Sequence, residues 1–513
     1  MRHLPLVSLL VAPCALAAQT PASIRDAVES ITPADVQTRI GILADDSMLG
    51  RATPSPQLEL VASYIAREFR RLGLTPGGDK GTYLQRYPIE RFELVAESSF
   101  VSLAGPVAAT WRLGKEVLLL GGGPPPEQIT GPAVFVTGTP APGGGGGGGG
   151  AIDPAAISGK VVFLLIDRGQ TPLARQVARV HAMAIVGISP IADSLWSLIA
   201  RRQSGVITSN PSQSALGAPA FRTREATARA FFARVGIDLD SARAAMAGPV
   251  VVRALPGVSV RIAVRQRVLD RASAPNVIGI LEGSDPRLRS EYLFFTGHMD
   301  HIGTPGAGEG CSARGGDSIC NGADDDASGT TAVIEAAAAF SRLAPRPRRS
   351  LVFMTVSGEE RGLWGSQYFS EHPTVPLEDV VADLNIDMIG RNWKDTIVAI
   401  GKEHSDLGAT LNRVGAAHPE LHMTPIDDIW PQENFYFRSD HYNFARKGVP
   451  ILFFFNGTHA DYHQVGDSPD KIDAEKESRI VKLLFYLGLE VANAAERPKW
   501  NPESYKQIVT GAN

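Results

Sequence analysis

Residues 292–300 read YLFFTGHMD, an apolar run that ends in a glycine, a histidine and an aspartate. Three more apolar runs end in similar residues: 351–356 before SGEE, 382–386 before Asp387, and 451–455 before a loop with His459, Asp461 and His463. Continuous apolar runs are typical of buried parallel strands, and open α/β sheets bind ligands at the carboxyl ends of their strands. The pattern predicts an α/β sheet with potential metal ligands gathered along one edge.

A second stretch, Asn321–Thr330, reads NGADDDASGT and places three aspartates in a row. Like charges this close repel each other, and the neighbouring residues offer no cation. The small residues allow the backbone to pack closely around a site, and Ser328 is suited to cap the helix that follows. We expect one aspartate to point into the site, while its neighbours cap, hydrogen-bond or face solvent.

The character of the sequence changes twice along the chain. Residues 58–72 keep helical spacing within a region from Thr32 to about Glu90. Residues 91–264 show short β-like runs broken by glycine and proline, and they include eight successive glycines at 143–150, which we interpret as a surface loop. From Ala274 onward, strand patterns alternate with helical patterns, which favours α/β structure with a mainly parallel sheet.

The N-terminus has the features of a secretory signal peptide over residues 1–17: a basic start, an apolar run and a small-x-small site. Lipidation at Cys14 is disfavoured because Pro13 precedes it, and no later segment is apolar enough to span a membrane. We therefore expect a periplasmic or secreted protein, in which Cys311 and Cys320 form a disulfide. The net charge of −4 among 513 residues disfavours a nucleic-acid partner.

Five motifs follow in order within residues 274–495: GHMDHIG, GADDDASG, SGEERGLWGS, LNIDMIG and YHQVGDSPD. They resemble the zinc exopeptidases of the family 28 type, which include bacterial leucyl aminopeptidase, aminopeptidase Y and glutamate carboxypeptidase II. The resemblance implies an α/β/α sandwich with a mainly parallel mixed sheet. It implies a peptidase domain built from residues 18–90 and 265–498, followed by a C-terminal tail at 499–513.

The middle region, residues 91–264, resembles a β-rich protease-associated domain inserted into the peptidase. The letters ISGKVV at 157–162, followed by IDR at 166–168, match the core strand of such domains. An inserted domain of this kind could cover the cleft and restrict the size of the substrate.

The family resemblance also implies a site that holds two Zn²⁺ ions. The implied ligands are His298 and Asp387 for one ion, Glu360 and His463 for the other, and Asp325 as the bridge between both. Glu359 is the implied general base, and Asp300 is implied to orient His298. Histidine and carboxylate ligands suit zinc, although cobalt and manganese stay open as alternatives.

Two of these assignments have competitors. His463 shares its loop with His459 and Asp461, and the match of YHQVGDSPD favours His463 as the ligand. Tyr436 lies in FYFRSDHYNF, where relatives carry a tyrosine that stabilises the oxyanion, but an aromatic residue in a pocket wall would also fit. His441, in the same motif, is expected to be structural or to lie behind the ligands.

The implied function is an exported aminopeptidase that acts on peptides with a water activated by two zinc ions. Alternatives on the same fold are a carboxypeptidase like glutamate carboxypeptidase II, a dipeptidase, and a glutaminyl cyclase with one zinc. The three aspartates together with SGEE disfavour the cyclase, and the sequence does not reveal the basic residues that a carboxypeptidase needs. A binding protein on an inactive peptidase fold is disfavoured because all five ligand positions and the base are present.

Overall fold

The computed structural model of the chain describes residues 19–121, 127–139, 152–167, 172–212, 218–306 and 310–510. The expected signal peptide, Cys14 and the eight glycines lie outside these residues. The chain forms two compact units: the first contains the residues up to Arg86 together with Pro275–Thr510, and the second contains Tyr87–Ala274. Within the described ranges, no helix has the length and apolar character needed to cross a membrane.

The first unit begins with three helices and a short strand: α1 (Pro21–Glu29), α2 (Pro33–Leu43), α3 (Pro56–Arg71) and β1 (Thr75–Pro76). Each helix begins at a proline that follows a threonine or serine, whose side chain accepts a backbone N–H of the first turn. Proline suits the first position of a helix because it has no N–H that would need a partner. The hydroxyl group of the preceding residue accepts a backbone N–H of the first turn that would otherwise be unpaired. The apolar face of α3 is buried, as its helical spacing predicts.

The second unit is a mixed sheet with short helices. Its strands, including two that continue into the first unit, are β2 (Leu84–Leu94), β3 (Phe100–Ala104), β4 (Ala109–Arg112), β5 (Val117–Gly121), β6 (Gln128–Thr137), β7 (Val161–Leu165), β8 (Ala184–Ser189), β9 (Ile207–Ser209), β10 (Ala220–Arg224), β11 (Val251–Ala263) and β12 (Gln266–Leu281). Its helices are α4 (Pro154–Ile157), α5 (Pro172–Arg179), α6 (Asp193–Gln203), α7 (Glu225–Arg234) and α8 (Leu239–Ala244). Eight strands follow the order β4-β3-β11-β6-β7-β8-β10-β5, and Phe163 packs on Phe232 of α7 in their core.

The remainder of the first unit alternates strands and helices. The strands are β13 (Tyr292–His298), β14 (Ser350–Val356), β15 (Val380–Ile386), β16 (Thr396–Ile400), β17 (Thr424–Ile426) and β18 (Ile451–Phe454). The helices are α9 (Gly329–Ser341), α10 (Trp364–Glu371), α11 (Leu407–Ala417), α12 (His441–Ala445), α13 (Ala474–Asn493) and α14 (Pro502–Ile508). Helix α14 lies in the segment that the sequence assigned to a C-terminal tail.

The sheet of the first unit runs in the order β17-β16-β18-β15-β13-β14-β12. Strand β13 is parallel to β14 and β15, and β15 is parallel to β18. Strand β12 is antiparallel to β14, and β16 is antiparallel to β18. The predicted mixed, mainly parallel sheet is therefore confirmed, and the four apolar runs are its parallel centre.

Helices cover both faces of this sheet. On β13, Phe294 contacts Phe369 of α10 and Phe444 of α12, with ring centroids 5.8 Å apart in each case. The next residue, Phe295, contacts Phe340 of α9 with centroids 5.6 Å apart. Because successive residues of a strand point to opposite faces, α9 lies on one side and α10 and α12 on the other. All residues of β14 and β15 are buried, as expected for a covered parallel sheet.

A buried carboxyl group in this sheet gives the fold a predicted pH dependence. Burial raises the pKa of Asp383 on β15 to about 8, and the charge of Asp440 adds to this, although a hydrogen bond from Thr296 opposes it. Since the pKa exceeds its ordinary value of 3.8, the stability that protonated Asp383 contributes is complete at acid pH and is lost as the pH rises through about 8.

Urea unfolding across this pH range measures the effect. Asp383→Asn should gain stability relative to the wild type between pH 4 and 8, whereas a control at an exposed carboxyl, Asp395→Asn, should not. A constant difference between Asp383→Asn and the wild type at every pH would contradict the prediction.

Candidate metal centre

The three successive aspartates face three different directions. Asp326 accepts backbone hydrogen bonds at both oxygens: Oδ2 from His298 N at 3.0 Å, and Oδ1 from Gly329 N at 2.8 Å and Met388 N at 3.2 Å. These amides belong to the end of β13, the start of α9 and the residues after β15. The Asp326 carboxylate thus ties three elements together at the edge of the sheet.

Asp324 points away from Asp325. Its Oδ1 accepts the N–H of Gly390 at 2.6 Å, and its Oδ2 lies 3.2 Å from His459 Nε2. The backbone N–H groups of Asp324 and Asp325 both donate to the carboxylate of Asp467, at 3.0–3.1 Å. The peptide bond between Asp325 and Asp326 is cis.

Asp325 presents one carboxylate oxygen to each of two donor groups. Its Oδ1 lies 3.2 Å from His298 Nε2, which is 3.7 Å from Asp387 Oδ1. Its Oδ2 lies 3.1 Å from His463 Nε2, which is 3.2 Å from Glu360 Oε2. We call His298, Asp387 and Asp325 Oδ1 the His298 group, and His463, Glu360 and Asp325 Oδ2 the His463 group.

The topology explains why these residues meet. His298 ends β13, Glu359 and Glu360 lie just beyond β14, Asp387 directly follows β15, and His463 lies in the loop after β18. The loop that carries Asp325 depends on Gly322, which has φ +62°. A Cβ on Gly322 would lie 2.2 Å from the carbonyl oxygen of Asp325 and 2.4 Å from the His301 ring, so only glycine allows this close packing.

The competing residues of the His463 loop have other partners. His459 faces Asp324, and Asp461 forms ion pairs with Arg391 at 3.0 Å and Lys471 at 3.1 Å. His441 places Nε2 2.8 Å from the carbonyl oxygen of Tyr436. Of the candidates in this loop, His463 is the residue that the structure brings to Asp325 and Glu360.

Glu359 and Asp300 also lie at this site. Glu359 lines a cavity together with His298, Asp325 and Asp387. Its backbone N–H donates to Asp300 Oδ1 at 3.3 Å, and Thr53 Oγ donates to Asp300 Oδ2 at 2.8 Å. The nearest approach of Asp300 to the His298 ring is through its backbone: His298 Nδ1 lies 3.1 Å from the Asp300 carbonyl oxygen and 3.7 Å from its carboxylate.

The structure does not bring Tyr436 to this cavity. The buried Tyr436 hydroxyl belongs to the apolar core beside the sheet, and its ring contacts His404 with centroids 4.5 Å apart. The tyrosine that lines the cavity is Tyr462, whose ring stacks on His463 at 3.9 Å. The position of Tyr462 near the site could have been predicted from the sequence, because it directly precedes His463 in the motif YHQVGDSPD.

Two further buried residues were missed by sequence reasoning. His301 in GHMDHIG is fully buried, with Nδ1 2.8 Å from Glu360 Oε1. Arg51 is 1% exposed and donates to the carbonyl oxygens of Met299 at 2.9 Å, Gly322 at 2.6 Å and Asn321. The guanidinium therefore supports the backbone of both segments that carry the site.

The electrostatics of the site are dominated by its buried carboxylates. Burial alone lowers the pKa of His298, but Asp326 and the hydrogen bonds to nearby carboxylates outweigh it and raise the pKa well above its usual value. Burial also opposes ionisation of Asp325, yet His301, His298 and His463 hold its pKa well below the usual range. The pKa values of His298 and His463 are both raised, so in the metal-free chain these two protonated histidines supply charge that compensates Asp325.

Glu359 responds differently to the same surroundings. Burial raises its pKa well above the ordinary value, and the negative charges of Glu360, Asp440 and Asp387 add to the effect, although His298 opposes it. A carboxylate with a raised pKa is suited to accept and release a proton near neutral pH.

The donor sets fit zinc. Zn–N and Zn–O bonds of about 2.0–2.2 Å place two donors of one tetrahedral ion about 3.3–3.6 Å apart. The separations within the two groups are 3.1–3.7 Å. Two clusters of donor atoms are close enough to hold a metal ion: one from His298, Asp326 and Asp387, and one from His301, Asp325 and Glu360. Divalent cations would replace the protons that otherwise compensate these carboxylates.

A disulfide closes a loop that lies between His298 and Asp325 in the sequence. Cys311 and Cys320 are joined, with Cα atoms 6.0 Å apart. The bridge packs with Ile302, which follows His301, and with Val465, which lies two residues after His463.

Comparison with known proteins identifies the family that part of the chain resembles. Residues 276–488 match the model of peptidase family M28. We call this matching segment the M28 domain. It contains His298, Asp325, Glu359, Glu360, Asp387 and His463.

Curated relatives are similar to part of the chain. Leupeptin-inactivating enzyme 1 of Streptomyces exfoliatus is 29% identical over 201 residues, which cover 39% of this chain and 39% of that protein. A probable zinc metalloprotease of Pyrenophora tritici-repentis is 26% identical over 278 residues, covering 46% and 55%. The mouse aminopeptidase NAALADL1 is 31% identical over 138 residues, covering 26% and 16%. The chain thus spans less than two thirds of these relatives.

Similarity to a solved structure extends over nearly the whole chain. An aminopeptidase from Aneurinibacillus sp. strain AM-1 aligns with a TM-score of 0.50 and 18% identity, covering 93% of this chain and 97% of its own. At this identity the likeness concerns the fold, and it includes residues of both units.

Arg51 provides a test of how the M28 domain holds its metal ligands. Arg51→Met should lower the free energy of unfolding by about 3–5 kcal/mol, because removal of one partner leaves buried polar groups uncompensated. It should also weaken zinc binding, since the segments that carry His298 and Asp325 lose their common support. Isothermal titration calorimetry with zinc and urea unfolding measure the two effects.

The matched control is Arg349→Met. Arg349 is also 1% exposed and donates to Glu291 and to the carbonyl oxygens of Val491 and Ala494. This control should lose comparable stability but keep its zinc affinity. Equal zinc affinities in the two variants would contradict a specific role of Arg51 at the site.

Proposed function

We propose that the protein is an exported aminopeptidase that hydrolyses the N-terminal bond of peptides with a water activated by two zinc ions. The observation that carries this proposal is the orientation of Asp325, whose two carboxylate oxygens each face one donor group. A carboxylate in this position can bridge two metal ions. The similarity of part of the chain to proteins named as an aminopeptidase and a probable zinc metalloprotease supports the same proposal.

In this proposal each donor group holds one zinc ion. His298 and Asp387 would hold the first ion, His463 and Glu360 would hold the second, and Asp325 would hold both. Two such ions would lower the pKa of a water and polarise the substrate carbonyl. Asp300 and Thr53 hold the backbone around His298 and Glu359, so that both side chains keep their positions during the reaction.

Glu359 is the proton carrier of the proposed reaction. Its carboxylate lines the cavity beside His298 and Asp387, where it can accept a proton from the attacking water. It then delivers this proton to the nitrogen of the leaving amine. Its burial, which raises the pKa of the carboxyl group, makes the proton easier to hold between these two steps.

Tyr462 takes the role that the sequence assigned to Tyr436. Burial raises the pKa of Tyr462, and the charges of Asp325 and Glu360 raise it further. The phenol therefore stays protonated, and its hydroxyl can donate a hydrogen bond to the oxyanion that develops on the substrate carbonyl.

The cavity wall favours an apolar side chain on the first residue of the substrate. Besides the polar residues, the cavity is lined by Met388, Phe435, Phe453 and Phe455. Apolar walls with a few fixed polar groups are typical of ligand pockets. We therefore expect leucine or phenylalanine at the N-terminus of good substrates.

Export and the role of the second unit belong to the same proposal. The signal-peptide features of residues 1–17 and the disulfide between Cys311 and Cys320 suit an oxidising compartment. The second unit is proposed to be the protease-associated domain that its sequence resembles.

A carboxypeptidase is the second candidate, because Arg438 also lines the cavity. Its guanidinium stacks over the Phe435 ring at 4.8 Å and lies 3.7 Å from Glu433. An arginine at this position could bind the terminal carboxylate of a substrate.

A substrate panel distinguishes these activities. Leucyl and phenylalanyl chromogenic amides should be hydrolysed, their N-acetylated forms should not, and chelation of the metal should abolish the activity. Hydrolysis of N-acetylated peptides with a free C-terminus, without cleavage of the aminoacyl amides, would contradict the proposal and favour the carboxypeptidase.

Glu359 and Glu360 are adjacent, but their glutamine variants should lose activity for different reasons. Glu359→Gln cannot accept the proton and should lower turnover by about 10²–10⁴-fold, while zinc per chain stays at two. Glu360→Gln removes a charged ligand, so one zinc should be lost or weakened together with activity. Elemental analysis and turnover of the same preparations measure both effects. Loss of zinc in Glu359→Gln, with two zincs retained in Glu360→Gln, would reverse the assignment.

A further inference from the structure

We propose that His301 is a metal-binding residue, whose Nδ1 completes the His463 group as a fourth protein donor. The two metal positions would then differ: the His463 group holds its ion with four protein donors, and the His298 group holds its ion with three. This inference rests on the proposed function only in taking the two donor groups as metal positions.

The position of the His301 ring is the first argument. His301 is fully buried, and its Nδ1 lies 2.8 Å from Glu360 Oε1 and 3.8 Å from Asp325 Oδ2. The ring meets the His463 ring edge to face, with centroids 5.6 Å apart. Donor atoms of His301, Asp325 and Glu360 are all within 4.8 Å of one another.

The short contact between His301 and Glu360 is not a well-formed hydrogen bond. Although Nδ1 and Oε1 are 2.8 Å apart, neither atom has a hydrogen-bond partner of acceptable geometry among the described residues. A buried polar atom without a partner costs about 1–3 kcal/mol. No proton lies on the line between these two electron-pair donors. Because they are nevertheless close together, both can bind the same cation.

The other donors of the His463 group face the same point. Glu360 turns Oε1 toward His301 and Oε2 toward His463, at 2.8 Å and 3.2 Å. Donors on one tetrahedral zinc ion are about 3.3–3.6 Å apart, and the four separations here range from 2.8 to 3.8 Å. His301, Asp325, Glu360 and His463 together can surround one ion.

The asymmetry has a chemical consequence. Four protein donors satisfy a tetrahedral ion, whereas three leave a position open. The His463 group should therefore bind the first equivalent of metal and hold it tightly. The His298 group should fill second and keep a free position for water or the substrate carbonyl, beside Glu359.

Metal titration of the full chain tests this inference without any peptide substrate. Metal-free wild type and His301→Gln are titrated with Co²⁺, followed by visible absorption, and with Zn²⁺, followed by calorimetry. The first binding step of His301→Gln should weaken by about 100-fold or more, at or beyond the upper end of the 10–100-fold that loss of a hydrogen-bonding partner behind a ligand costs, and its cobalt spectrum should change. Wild-type affinities and spectra for both steps in His301→Gln would overturn the proposal.

The same variant excludes a purely hydrogen-bonding role. Glutamine keeps an amide N–H that can donate to Glu360, so a histidine that only orients Glu360 would be replaced without loss of affinity. His441→Gln is the control for removal of a buried histidine, because His441 faces the Tyr436 carbonyl and belongs to neither group. It should retain both binding steps.

A second variant keeps the test decisive if His301→Gln fails to fold. Nδ1 lies near Cβ in histidine, so His301→Cys brings a thiolate close to the same position, and thiolate is a zinc ligand. The first equivalent of cobalt should then show a sulfur-to-cobalt charge-transfer band. A folded His301→Cys protein that binds cobalt without this band would overturn the inference.

Failure of the proposed function would look different. A wild type that binds two ions with this asymmetry, but hydrolyses no aminoacyl substrate, would refute the aminopeptidase and leave the role of His301 intact. If the wild type hydrolyses the aminoacyl substrates and His301→Gln binds metal as the wild type does, the aminopeptidase is supported and the metal-binding role of His301 is refuted.

Discussion

The burial of many carboxylates at one edge of the sheet is the constraint on which the rest of this site depends. Asp300, Asp324, Asp325, Asp326, Asp387 and Asp467 are all less than 10% exposed. A buried carboxylate is costly unless it is paired or hydrogen-bonded. The fold compensates these charges in two ways: with backbone N–H groups for Asp326 and Asp467, and with the guanidinium of Arg51 behind the loop. In the proposed function, divalent cations would compensate Asp325 on its other side.

This division explains why three aspartates stand in a row. Asp326 joins the ends of two strands to the start of α9, and Asp324 binds the amide of Gly390. Because Asp324 and Asp326 both accept backbone N–H groups, the loop holds Asp325 with one carboxylate oxygen toward the His298 group and the other toward the His463 group. The same compact loop needs Gly322 at a positive φ, because any side chain there would collide with the Asp325 backbone and the His301 ring.

Much of this architecture could be predicted from the sequence. The remaining features could not, because they depend on how distant residues pack together. The apolar runs 292–296, 351–356, 382–386 and 451–455 encode the parallel centre of the sheet, because burial on both faces requires continuous apolar residues. Parallel strands bring their carboxyl ends together, so the convergence of His298, Glu360 and Asp387 followed. Arg51 and His301 were missed because their roles depend on packing: Arg51 meets carbonyl groups about 250–270 positions away, and a second histidine in GHMDHIG has no periodic signature. The choice between Tyr436 and Tyr462 likewise depends on which ring faces the cavity, and no local pattern records this.

The central claim is that Asp325 alone of the three aspartates bridges two metal ions. A crystal structure of the zinc-loaded protein, with anomalous differences measured at the zinc edge, tests it directly. The account predicts two peaks about 3.5–4 Å apart, one on each side of the Asp325 carboxylate, with Asp324 and Asp326 still bound to backbone amides. A single peak, or a peak bound by Asp324 or Asp326 in place of Asp325, would contradict it.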